Sequence, residues 1–162
     1  MNTTEDFVEH YYNFFFGDYK KKTIRMALDI LECSSDAHSR SYMSMSEEIL
    51  DIVDRYGDIT VPGIMSRLRS SGYEPDGTMN IKLSDVENVY IWMEVSAEFT
   101  NSLNELMTKG LIVASRCNVM IYMMDGDPIL DMPVAGNKIP KNGYKKPRWV
   151  PLTYEINKKK RK

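Results

Sequence analysis

Residues 95–115 read VSAEFTNSLNELMTKGLIVAS, a helix that stops at a glycine and runs straight into a strand. Phe99, Leu103, Leu106 and Met107 recur at helical spacing, so one stripe is apolar and packs inward. This predicts a helix over 96–109, capped by Ser96. Gly110 gives the chain freedom to turn sharply from helix to strand. The opposite face carries Glu98, Asn101, Ser102 and Glu105, with Thr100 and Asn104 at its edges.

Upstream, Ser44 and Glu47 have capping-box spacing, and Ile49, Ile52, Val53 and Tyr56 make the buried face of a helix that Gly57 ends. Ile59 and Val61 suit a very short strand. Thr60 is a good N-cap, and Pro62 fits the first turn of the next helix, where its missing N–H is not needed. Ile64, Met65 and Leu68 face inward, and Gly72 closes that helix. The connection 73–95 holds an EPDG turn, then TMNIKL as a strand or an extended connection, and a predicted helix over 84–94 with Ser84 as cap and Val86, Val89, Tyr90 and Met93 inward. Downstream, LIVASR and VMIYMM read as strands, with DGDP breaking the second. The run RWVPLTYEI alternates, with Val150, Leu152, Tyr154 and Ile156 inward. Pro151 removes one ladder donor and points to an edge strand.

The N-terminal region reads differently. Residues 3–16 and 20–33 are predicted helices, and seven aromatic residues fall between Phe7 and Tyr19. Such a density of rings packs on the body or on a second copy of the chain. The polar run CSSDAHSRS marks a soft boundary, which divides the chain into an aromatic-rich helical extension, 1–43, and a domain with a basic tail, 44–162.

The chain has 162 residues, with 43% hydrophobic and 27% charged side chains, ordinary values for a globular protein. No apolar run reaches the roughly 18–20 residues of a membrane span, and the start lacks the pattern of a secretory signal. Cys33 and Cys117 are far apart and in no motif. A cytoplasmic, reduced protein is the expectation. The net charge of −2 conceals a split: residues 136–162 carry +9 and residues 1–135 carry −11. An acidic body with a basic end suggests a polyanionic partner for that end.

From residue 44 the predicted order is helix, short strand, helix, connection, helix, strand, long loop, strand. This resembles a winged helix-turn-helix domain. The resemblance is carried by EEILDIVDRYGDITVPGIMSRL and by VSAEFTNSLNELMTKGLIVAS, with Ser96, Phe99, Leu103, Leu106 and KGLI 109–112 at the family's positions. It covers about 110 residues and implies an α+β, mainly helical fold with an N-terminal helical extension and a long basic wing. It also implies that the third helix meets the major groove of double-stranded DNA through Thr100, Asn101, Asn104 and Lys109. Asn is suited to adenine because its amide donates and accepts in one plane.

The third helix offers no Lys or Arg before Lys109 and carries two acids, so phosphate attraction must come from elsewhere. The loop AGNKIPKNGYKKPRW, 135–149, takes the place of the wing. Lys138, Lys141, Lys145, Lys146 and Arg148, with Tyr144 and Trp149 interleaved, are the candidate contacts to phosphate or the minor groove.

Enzyme motifs are missing from the sequence: it has no glycine-rich phosphate loop and no nucleophile elbow. The two histidines, His10 and His38, leave no basis for a His-rich metal site. Asp125 and Asp127 lack the further carboxylates of a cation loop. The expectation is a non-catalytic protein with no cofactor or metal. Two functional readings follow. One is a DNA-binding regulator, expected to pair through its N-terminal helices, since two-fold proteins match palindromic sites. The other is a protein-interaction module, an adaptor or inhibitor of a nucleic-acid machine, favoured by the acidic body and neutral third helix.

Overall fold

The computed structural model describes residues 43–160, which belong to the unit Tyr42–Lys162. The predicted helices 3–16 and 20–33, their aromatic residues, Cys33 and both histidines lie outside the described residues. The fold is α+β, with four α-helices and two small sheets among the described residues. In chain order the elements are α1 (Met45–Tyr56), β1 (Ile59–Thr60), α2 (Val61–Ser70), β2 (Asp76–Lys82), β3 (Val89–Val95), α3 (Ala97–Thr108), β4 (Ile112–Arg116), α4 (Val119–Met124), β5 (Arg148–Trp149) and β6 (Leu152–Ile156).

The helices begin where local chemistry dictates. Ser44 and Glu47 complete both halves of a capping box at α1, and Gly57 ends that helix at φ +57°. At α2 the Thr60 side chain accepts from Gly63 N, with Pro62 in the first turn. At α3 the Ser96 side chain accepts from Phe99 N. Ile49, Ile52, Val53, Ile64, Met65, Leu68, Phe99, Leu103 and Leu106 are all buried in one core. Two face assignments differ, Met107 expected inward and Ser102 outward. Met107 is 39% exposed and Ser102 only 8%, because the buried stripe of α3 runs through Phe99, Ser102, Leu103 and Leu106 and leaves Met107 at its margin.

The first sheet has the order β1-β6-β4, antiparallel throughout. The second has the order β2-β3-β5, with β3 and β5 parallel. The predicted helix 84–94 is instead the tip and most of the second arm of a β-hairpin. Its sequence VYIWMEV is β-branched and aromatic, and Val89, Ile91, Trp92 and Val95 are buried. Such residues fit a pleated surface better than a helix. The predicted strand VMIYMM is α4, nucleated by Asn118, whose side chain accepts from Met120 N. A short apolar run fits either period, and the cap decides.

The C-terminal run is two strands, broken at Val150–Pro151. Trp149, Val150 and Thr153 are buried alongside Tyr154, so no single inward set exists. Pro151 does not mark an edge: β6 is the central strand of its sheet, and the Pro151 carbonyl accepts from Cys117 N. Pro151 avoids a lost ladder bond by standing just before the strand.

Three rings join the later elements. Tyr122 of α4 meets Trp149 edge-on at 4.9 Å between centroids and stacks on Trp92 of β3 at 6.0 Å. The Tyr122 hydroxyl donates to Leu152 O at 2.9 Å, and Trp149 Nε1 donates to Ile91 O at 3.2 Å. Both polar tips are thus satisfied where they are buried.

Candidate nucleic-acid interface

The exposed side of α3 carries Glu98, Asn101, Asn104 and Glu105. Asn101 and Asn104 present their amides to solvent. Thr100 is half-buried, and its hydroxyl donates to Ser96 O at 3.1 Å, so that donor is already used within the helix. Lys109 pairs with Glu105 one turn back, which offsets part of its charge. The face is therefore neutral to acidic, as its sequence predicts.

The basic loop is differently built. Lys138, Lys141, Lys145 and Lys146 are exposed, and none forms an ion pair with a described residue. Trp149 is 1% exposed, so it is a core ring and not a contact. Arg148 is half-buried, with its guanidinium 5.4 Å from the centroid of Tyr144 and its backbone in β5. Of the predicted wing contacts, the four lysines stand in solvent, while Arg148 and Tyr144 are turned to each other.

The loop is held at several points. Arg116, at the end of β4, donates from Nη2 to Ala135 O at 2.8 Å and from Nη1 to Gly136 O at 2.9 Å. The Tyr144 hydroxyl accepts from Gly136 N at 3.1 Å. On the other side the loop meets the tip of the β2–β3 hairpin. Tyr144 N donates to Glu87 O at 3.1 Å and Arg148 N to Asn88 O at 2.8 Å. Asn88 Nδ2 donates to Tyr144 O at 2.7 Å. Gly143, at φ +76°, lies so close that a Cβ there would fall 2.0 Å from Glu87 O.

These anchors fix where the loop sits. The hairpin starts beside α3, where Ser96 N donates to Pro75 O at 2.7 Å, and its seven-residue arms span on the order of 20 Å. The loop grips the far end. It lies a hairpin's length from the N-terminus of α3.

The DGD segment has a structural task. Asp127 accepts from the Thr60 hydroxyl at the start of α2, where a carboxylate suits the positive end of the helix. Among the described residues no group of three His, Cys, Asp or Glu is placed to hold a metal ion. Burial pushes the Cys117 thiol up to about 11, away from the range of a nucleophile at neutral pH. No helix among the described residues is long and apolar enough to cross a membrane.

No family model matches the chain, and no solved structure matches it. Over 128 residues the chain is 27% identical to Elongation factor 2 of Methanosphaerula palustris, a stretch that covers 75% of this chain. It spans only 16% of the length of that relative.

Proposed function

We propose that residues 43–160 form a winged-helix-type module that binds double-stranded DNA and serves as a non-catalytic regulator. The observation that carries this reading is the basic loop: four exposed lysines, Lys138, Lys141, Lys145 and Lys146, gathered on one segment of a chain whose first 135 residues carry −11. The order α1-β1-α2-α3-β4-β6 with sheet order β1-β6-β4 supports the winged-helix reading, with β2–β3 and α4 as additions to it. In this reading the lysines neutralise phosphates, and Asn101 and Asn104 touch base edges. Pairing of two copies through residues 1–43 would match a two-fold site.

A second reading, a protein-interaction module, has its own support. Met120, Met123, Met124, Ile129 and Val134 are all at least 38% exposed within one stretch of chain. Flexible methionines suit a soft protein contact.

Fluorescence anisotropy on a mixed-sequence duplex over a salt series separates the two. Replacing Lys138, Lys141, Lys145 and Lys146 with Ala should flatten the slope of log K against log salt by up to about 3–4, near 0.9 per lost phosphate contact. Asn101→Ala with Asn104→Ala should leave the slope alone and reduce site preference by about 1–3 kcal/mol. A wild type that fails to bind duplex at low salt, or a slope unmoved by loss of the lysines, overturns the DNA reading.

A further inference from the structure

We infer that the inserted hairpin β2–β3 is a clamp that fixes the basic loop as a rigid array of phosphate contacts, suited to a duplex and not to a single strand. This rests on the DNA reading above and assigns positioning roles to Asn88, Gly143 and Tyr144. None of the three need touch the nucleic acid.

A free lysine-rich loop loses conformational freedom when it binds, and that loss opposes binding. Here the loop is ordered beforehand from both sides. The hairpin tip offers a shaped surface: Asp85 and Asn88 adopt φ of +61° and +56°, conformations that Asn and Asp tolerate better than most side chains. This exposes the Glu87 and Asn88 carbonyls to Tyr144 N and Arg148 N, while the Asn88 amide returns a bond to Tyr144 O. Gly143 fits against Glu87 only because it has no side chain. Gly143 N also donates to Pro140 O at 2.9 Å, a turn that contains Lys141, with Lys138 before it and Lys145 and Lys146 after it. On the other flank Arg116 and the Tyr144 hydroxyl hold residues 135 and 136.

The same contacts withdraw the loop's aromatic rings. Single-stranded nucleic acid is bound largely by stacking bases on exposed rings. Trp149 is buried, and Tyr144 is half-buried, its hydroxyl bonded to Gly136 and its ring facing Arg148. What remains is positive charge carried on an anchored stretch of backbone, complementary to a partner whose phosphates are themselves fixed.

The test uses the full chain with Gly143→Ala, Asn88→Gly and Tyr144→Phe, none of which changes charge. Asn88→Gly keeps the positive-φ conformation accessible and removes the amide. Anisotropy is read on a labelled mixed-sequence duplex and on a single strand of equal length, over a salt series, with far-UV circular dichroism as the folding control. Duplex affinity should fall by about tenfold in Asn88→Gly and further in Gly143→Ala. The duplex salt slope should flatten, since fewer phosphates are held at once. Single-strand affinity should stay within about twofold, as charge is unaltered. If Gly143→Ala does not fold, Asn88→Gly and Tyr144→Phe carry the test. Clamp variants that bind duplex like wild type, while the lysine variant loses it, overturn the clamp and leave the DNA reading standing. Equal losses on duplex and single strand also overturn it. A wild type that binds neither overturns the DNA reading itself.

Discussion

The frame made by α1, β1, α2, α3, β4 and β6 and the inserted segments 73–95 and 117–151 are specified in different ways. Each frame helix carries its own start signal within four residues: Ser44 with Glu47, Thr60 with Gly63, Ser96 with Phe99. The inserts form their own helix and hairpin locally but are held in place by partners far away in sequence. Asn88 bonds to Tyr144, 56 residues on, and Trp149 to Ile91 at a separation of 58. Local signals specify helices, while long-range pairing specifies how the additions lie.

The strongest way to break that comparison is to cut where the inserts meet. Trp149 is 1% exposed and contacts both Trp92 and Tyr122. Trp149→Ala should cost about 3–5 kcal/mol, the range for truncating a large buried ring. If inserts and frame share one core, chemical denaturation followed by far-UV circular dichroism will show one transition at a lower midpoint. An unmoved main transition with a new, weak early one would mean that the inserts are appendages. In the frame, Leu103 is 2% exposed, and Leu103→Ala should cost about 2–5 kcal/mol in the same experiment. A loss well under 1 kcal/mol there would contradict its core position.

A finer cut lies at the seam between α2 and the hairpin. Arg69 donates twice to Asp76, with both contacts at 2.6 Å. The hydrogen bonds from Arg69 hold the Asp76 carboxyl below its ordinary value of 3.8. A carboxyl lowered in the folded state adds stability above its unfolded pKa, and that stability is lost as pH falls through the folded value. Both side chains are about half exposed, so the contribution stays under about 1 kcal/mol. Asp76→Asn should therefore be slightly less stable than wild type at neutral pH, and the gap should close in acid. A gap that widens as pH falls would rule out the ion pair as its source.

The same contrast explains what the sequence makes legible. Caps and apolar stripes place α1, α2 and α3 within a residue or two, and the lysines of the candidate interface stand out by composition alone. The strand character of residues 89–95 is hidden because Val86, Val89, Tyr90 and Met93 also fit a helical stripe, and only pairing with β2 decides. Met120 to Met124 mislead in the opposite sense, because the Asn118 cap is easily passed over. Nothing local shows that Arg148 and Trp149 face the protein while their lysine neighbours face solvent. That division follows from the parallel pairing of β5 with β3.

The ring cluster at the joint also supplies a spectroscopic handle. The chain has two tryptophans, and both lie in that cluster, 6.2 Å apart with Tyr122 between the segments that carry them. Intrinsic emission excited at the indoles therefore reports first on the docking of hairpin, α4 and β5. A shift to longer wavelength at constant helical signal would register the opening of this joint without any label.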